Sequence, residues 1–409
     1  MCEKYGHRIA TNKSDGKVII IISMDITRRT RKAIMVITSS TGYSITHPEI
    51  ILTRLLKEHD LIPVVICPED GSLAHFFREQ AIRVEILPNI NRWRNLVARL
   101  TAVSTIGKLI KIAADYDTIL VHAARLSATP FAVKLAKKLN VPCISHLHGV
   151  PPGPDKFRRY LTHQADILVA VSEGALAACP SQQKDRATVV YNGMDITDFR
   201  ARSVELNAHA LLGVGNNLLV GMAGLNACKG VDVFIEAAGS VAAIMPEVRF
   251  LLLGRQPEGK TWKIISEQVE KAGISDKVIF PGYQKNAAAF MAAADIWVVP
   301  SRVDAAPMVV MEAMTLGKPV VGSNVGGIPE LIQNGGTGYI VPTEDSTALA
   351  SAIKELLVDG TKRNAFGTSG LKWAENNFSY NGYEKRMWNV YQKLLNKSGA
   401  LRARGGVIT

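Results

Sequence analysis

The stretch DIWVVPSRVDAAPMVVMEAMTLGKPVVGSN (Asp295–Asn324) holds a complete strand–loop–helix–strand unit. DIWVVPS is a short apolar run with no polar alternation, which reads as a strand buried on both faces. RVDAAP is a loop, and Pro307 is a favoured first helical residue, so a helix starts there and carries VVMEAM. KPVVGSN is a second buried strand. Two consecutive apolar strands joined by a helix belong to a parallel sheet. The unit also places two acids, Asp304 and Glu312, eight positions apart around an apolar run. One reading is a charge at the helix start with a solvated acid further along. The other is that both acids enter one pocket and hold the hydroxyls of a sugar nucleotide.

The same alternation extends in both directions. Towards the N-terminus, KAIMVITSS, LIPVVICPE, IRVEILP, DTILVHAA, VPCISHLHG, ADILVAVS and ATVVYNG read as strands. PEIILTRLLKE and FAVKLAKKLN have helical spacing between them. After a polar stretch, NLLVGMAG, VRFLLLG, KVIFPG and the two strands above repeat the scheme. About a dozen strands are too many for one open sheet of normal size. The expected fold class is therefore α/β, with two doubly wound Rossmann-like domains. We place an N-terminal Rossmann-like domain at residues 17–200 and a C-terminal one at 201–376. The strongly periodic YEKRMWNVYQKLL lies in a closing helix at 377–396.

Composition is that of an ordinary globular protein, 47% hydrophobic and 21% charged. No apolar run is long enough to cross a membrane, and the polar start MCEKYGHRIATNKSDG has no signal-peptide core. Five scattered cysteines (Cys2, Cys67, Cys143, Cys179, Cys228) without C-x-x-C spacing read as free thiols of a cytoplasmic protein. The net charge is +12, of which residues 1–200 carry +9 (27 basic, 18 acidic). Such a bias suits a phosphate-rich or anionic-membrane partner. The segment from Asn91 interleaves Arg92, Arg94, Arg99 and Lys108 with Trp93, Leu96, Val97, Leu100 and Ile106. It reads either as a basic amphipathic helix at a membrane surface or as a surface helix packing its apolar stripe on the core. No aromatic or zinc module supports nucleic-acid binding.

In open α/β sheets, ligands bind beyond the carboxyl ends of the strands. Three loops of the second domain end there: LNACKG with Lys229, RVDAAP with Asp304, and VGGIPE with Gly326 and Gly327. Lysine neutralises a diphosphate, and free N–H groups at a helix start bind phosphate. His146 and His148 alternate onto one face of a strand, without a third ligand for a metal.

The segment PSRVDAAPMVVMEAMTLGKPVVGSNVGGIPELIQNGGTGYIVP (Pro300–Pro342) resembles the donor-site signature of the family-4 retaining glycosyltransferases of GT-B fold, whose E-x7-E motif falls on Asp304 and Glu312. GMAGLNACKGVDVFIEAA, VVYNGMDITDF, ADILVAVSE and ISHLHG agree with it, so the resemblance spans roughly residues 33 to 395. It implies a closing helix that returns to the N-terminal domain. It implies that Glu312 binds the ribose hydroxyls and Asp304 stands at the transferred sugar. Lys229 would stabilise the leaving diphosphate, and His148 would lie across the cleft near the sugar. Backbone groups of Ala306, Pro307, Met308 and Val309 would contact sugar and phosphate. Gly42 would let the first-domain backbone approach the donor, and Gly224 would lie at the donor-binding site. The implied enzyme is a metal-independent, retaining hexosyltransferase with no cofactor beyond a UDP- or GDP-linked sugar co-substrate. Its acceptor would be a glycolipid or cell-surface glycan, at the inner face of the membrane.

Three departures from the family pattern stand out. Asp304 replaces the usual first Glu. Gly224 stands where an Arg normally precedes the Lys by five positions. Gly42 remains from a pair of glycines. They motivate an alternative, a degenerate sugar-nucleotide-binding homologue that supports a partner enzyme.

Overall fold

A computed structural model describes residues 8–14, 17–23, 32–38, 46–88, 90, 96–149, 157 and 159–398. After an antiparallel hairpin, β1 (Arg8–Ser14) with β2 (Lys17–Ser23), the chain forms two fully parallel sheets. The first has seven strands: β3 (Lys32–Ile37), β4 (Ile62–Cys67), β5 (Arg83–Ile86), β6 (Asp117–Ala123), β7 (Cys143–Leu147), β8 (Ile167–Ala170) and β9 (Ala187–Val189). The second has six: β10 (Leu219–Ala223), β11 (Arg249–Leu253), β12 (Val278–Ile279), β13 (Ile296–Val299), β14 (Val320–Ser323) and β15 (Gly338–Val341).

Their orders are β5-β4-β3-β6-β7-β8-β9 and β12-β11-β10-β13-β14-β15. Each sheet grows outward from its first strand, reverses, and continues on the other side. The switch points are β3/β6 and β10/β13, where a doubly wound sheet opens a crevice beyond its carboxyl edge. The expected two-domain Rossmann-like architecture is what the chain adopts.

Side-chain alternation explains the burial. Along β3, Ala33, Met35 and Ile37 enter one core cluster and Ile34 and Val36 the opposite one. Both faces are covered, so from Ala33 to Ile37 the strand carries apolar residues at every position. A third cluster joins the domains, with Leu147, Leu168 and Ala175 of the first packed among Trp297, Val310 and Ile328 of the second.

The boundary drawn at 200/201 falls inside the helix Ile196–Ser203. Phe199 of that helix is buried in the cluster that holds Phe290 and Met314. The closing helix, Tyr380–Lys397, buries Tyr383, Met387, Tyr391 and Leu394 against the first sheet, at the spacing of one helical face. Glycine at position 193 has a packing reason. A Cβ there would sit 2.3 Å from Cβ of Tyr383.

Candidate active site between the two sheets

The loops that follow β10 and β13 meet at the second switch point. Gly230, at φ +72°, lets the first loop touch the second, since a Cβ would lie 2.0 Å from the Pro300 carbonyl oxygen. Arg302 ties the loops further. Its guanidinium donates to both oxygens of Asp232 at 2.8 and 2.7 Å, to Glu344 at 2.7 Å and to the Ala227 carbonyl at 2.7 Å. These bonds hold the Asp232 carboxyl below its ordinary range, mainly through the Arg302 hydrogen bond. The loops so fixed present Lys229, whose Nζ donates to Oδ2 of Asp304 at 2.6 Å. Ser301 Oγ donates to the same oxygen at 3.2 Å. The expected phosphate cation and the expected sugar acid are therefore one ion pair. Gly224 sits at φ +89°, and a Cβ there would come within 3.2 Å of Lys229 Cγ. The structure is shaped for glycine at this position, and an Arg side chain would start against the lysine.

After Asp304 the chain is buried at Ala305 and Ala306 and caps its helix, Met308–Thr315, with Pro307. No side chain caps this helix, and Met308 and Val309 are half-buried at its open start. Its first N–H groups point out of the helix with no intrahelical acceptor, the arrangement that binds phosphate.

Gly326 and Gly327 take a different part from the expected one. A Cβ on Gly326 would lie 1.7 Å from the Asp304 carbonyl oxygen, and on Gly327 2.0 Å from that of Ala305. A Cβ on Gly174 of the first domain would likewise lie 2.2 Å from the Gly326 carbonyl oxygen. These glycines permit close backbone approach within the loops and between the domains. Ser172 adds a bond from its hydroxyl to the Ala305 carbonyl at 2.6 Å. Glu330 reaches back across the interface, accepting from the N–H groups of Glu173 and Gly174 at 2.8 and 2.6 Å and from Tyr191 at 2.8 Å. An anionic cap on a helix start is favoured by hydrogen bonding and dipole together.

Glu312, the second acid, is buried on its helix and faces the first domain. The Thr46 hydroxyl donates to its Oε1. Burial raises the Glu312 pKa, and the Thr46 bond opposes that rise. Thr46 begins the turn into the helix Pro48–Glu58. Glu49 of that helix is buried, accepting from Thr38 and from Arg125 Nε at 2.9 Å each, with His47 Nδ1 2.6 Å away. Burial alone would raise its pKa. His47 and Arg125 outweigh burial and hold it well below the usual carboxylate range.

His148 lies at the end of β7, beside this cluster. Its ring centroid is 4.1 Å from that of His146, and burial pushes its pKa well below the ordinary value, so it is neutral. A chain of rings runs inward from it. The Tyr391 phenol, kept protonated by burial, is hydrogen-bonded to His122 Nδ1 at 2.7 Å. His122 Nε2 is in turn hydrogen-bonded to His146 Nδ1 at 3.3 Å, one ring donating and the other accepting. The buried Nε2 of His146 has no hydrogen-bond partner among the described residues.

Gly42, Arg92, Trp93 and Arg94 lie outside the described residues, as does the side chain of Arg99. The helix Leu96–Ala114 forms as expected, but Ile106 is core, packed with Leu109 and Ala113 against Phe131. Its solvent side shows Val103, 81% exposed, with exposed Lys108 and Lys111. No described helix is long and apolar enough to cross a membrane. Among the described cysteines Cys67, Cys143 and Cys179 are buried free thiols, and burial pushes Cys67 up to about 12. Thr46, Glu49, Arg125, Arg302 and Glu330 were not singled out from sequence. Arg302 and Glu330 sit inside the quoted signature, but the partners that give them a role are distant in the chain.

Two parallel sheets facing across a cleft, each with its switch point turned to the other, define the GT-B architecture. The sequence matches Glycosyltransferase Family 4 over residues 51–198 and Glycosyl transferases group 1 over residues 208–373. The chain belongs to these glycosyltransferases. It is 27% identical to N-acetyl-alpha-D-glucosaminyl L-malate synthase of Bacillus anthracis, over 62% of this chain and 69% of that one. It is 28% identical to the lipopolysaccharide core biosynthesis mannosyltransferase LpsB of Rhizobium meliloti, over 58% and 68%. Among solved structures, Anabaena HepE in complex with UDP-glucose superposes with a TM-score of 0.76, at 23% identity over 88% of this chain and all of that one.

Proposed function

We propose that this chain is a retaining, metal-independent glycosyltransferase that moves a hexosyl group from a UDP- or GDP-linked sugar to a glycolipid or cell-surface glycan. The observation that supports this reading most is the convergence on one cleft of three groups. They are the Lys229–Asp304 pair, the open start of the helix Met308–Thr315, and the buried carboxylate of Glu312. In this reading Glu312 accepts hydrogen bonds from the ribose diol. The diphosphate lies against Lys229 and the N–H groups of Met308 and Val309. Asp304 holds a hydroxyl of the transferred sugar.

The reaction then follows from charge. The bond from the anomeric carbon to the diphosphate oxygen breaks, and its electron pair stays on that oxygen. Lys229 and the helix start stabilise the developing charge, so a bound metal is not required for it. The acceptor hydroxyl attacks the face the diphosphate leaves, and its proton passes to a leaving phosphate oxygen. Neutral His148 offers a hydrogen bond at the sugar from the opposite domain. The name of LpsB supports an envelope-glycan acceptor, and the UDP-glucose complex of HepE supports a nucleotide-sugar donor.

Titrating UDP and GDP into the purified protein with a chelator present tests the donor site. Glu312→Ala is expected to weaken binding by about 1–3 kcal/mol through the lost diol contacts. Equal affinity for variant and parent would rule out the ribose role. Binding without transfer or hydrolysis of any nucleotide sugar would favour the degenerate-homologue reading.

A further inference from the structure

We infer that Thr46 of the N-terminal domain is a positioning residue of the donor site, its hydroxyl fixing Glu312 in the orientation that receives the ribose. The inference rests on the ribose role proposed for Glu312. The two residues are 266 positions apart, in different domains, and their hydrogen bond is buried. Glu312 Oε1 is occupied by this bond, while Oε2 has no partner among the described residues and is the oxygen left to accept from a diol.

The placement of Thr46 is not that of a loose loop residue. It immediately precedes His47 and Pro48, and the following turn is pinned by Glu49, which Thr38, Arg125 and His47 hold from three sides. A hydroxyl delivered by a fixed turn restricts the rotamer of the carboxylate it binds. It also matters for charge. Burial drives Glu312 towards keeping its proton, and a donated hydrogen bond favours the ionised form that a diol needs. Because the bond crosses the domain interface, the correct donor geometry forms only when the two domains stand as they do here. Through Thr46 the first domain thereby takes part in donor recognition by way of Glu312.

The test compares Thr46→Val, which keeps the shape and removes the hydroxyl, with Thr46→Ser, which keeps the hydroxyl. Each is titrated with UDP and with GDP beside Glu312→Ala and the double variant, and each is melted without nucleotide. Thr46→Val is expected to bind the preferred nucleotide about tenfold more weakly, the loss of one hydrogen bond to a charged group. Thr46→Ser should bind within about threefold of the parent, and the double variant no worse than Glu312→Ala alone, as for coupled residues. Melting temperatures close to the parent's confirm that the loss is not unfolding. Parent-like binding by Thr46→Val, with Glu312→Ala weakened, would overturn the role of Thr46 and leave the donor reading intact. Tighter binding by Thr46→Val would also overturn it, by showing that the hydroxyl competes with the ribose. Parent-like binding by Glu312→Ala would instead remove the donor reading on which the inference stands.

Discussion

Asp304 carries two possible duties, and the geometry makes them separable. Its carboxylate accepts from Lys229 and Ser301, so it could act by holding the lysine or by touching the sugar. If it touches the sugar, Asp304→Ala lowers turnover by about a hundredfold, the scale of one lost transition-state contact, while UDP affinity stays within about threefold. Parallel losses in turnover and in affinity for the bare nucleotide would assign it to Lys229 instead. Asp304→Glu separates the cases further. The longer acid would push on Lys229, which is already at 2.6 Å. Loss of activity in that variant is therefore the expected result, despite the restored family residue.

At the level of elements, two features bear weight. The first is the helix start at Glu173 and Gly174, capped by Glu330 from the other domain. Glu330→Ala removes three hydrogen bonds to a carboxylate and leaves the Glu173 and Gly174 N–H groups without that partner, with the Ser172 cap as the remaining one at this helix start. A destabilisation of about 2–3 kcal/mol is expected, seen in calorimetry as a lower, broader or split transition as the domains uncouple. An unchanged single transition would show that the apolar cluster alone joins the domains.

The second feature is the ring chain under β7. Burial lowers His146 to about 3 and His122 well below its ordinary value. An unfolded histidine titrates near 6.5. Between about 6.5 and 3 the unfolded chain therefore binds protons that the folded chain refuses, and stability falls as pH drops through that window. Each such histidine costs up to ~1.4 kcal/mol per pH unit there. Glu312 works in the opposite sense, because its raised pKa makes the folded state take a proton first. Urea unfolding at pH 7 and pH 5 should show the parent losing stability, with a smaller loss in His146→Gln. An equal loss in that variant would mean that His146 is not the group responsible.

For the whole molecule, the open question is where the acceptor is met. We propose that the basic first domain docks on an anionic leaflet through the helix Leu96–Ala114, whose solvent side carries Val103, Lys108 and Lys111. Each basic residue near such a surface contributes ~1 kcal/mol, screened within about 10 Å at 0.1 M salt. Vesicles containing anionic lipid should sediment the protein at low salt and release it at high salt. Val103→Ser with Lys108→Ser and Lys111→Ser should weaken this. Binding unaffected by those changes would move the contact elsewhere, and no binding at all would favour a soluble acceptor.

The strand and helix sequence of both domains was legible from the chain itself. Apolar runs at every position, as in AIMVI and IWVV, record burial on two faces, which a covered parallel sheet supplies. The amphipathic closing helix and the acid pair around Pro307 were equally local signals. Tertiary structure alone decided the rest, because the deciding partners are far apart in sequence. Asp304 became an ion pair because Gly230 lets a loop some seventy residues earlier pack against Pro300. Gly326 and Gly327 became packing glycines because the Asp304–Ala305 backbone, some twenty residues earlier, lies against them. Ile106 left the solvent stripe because the sheet lay beneath it. Thr46 had no signal at all, since a threonine before a helix looks like any other until folding brings a buried carboxylate from position 312 to its hydroxyl.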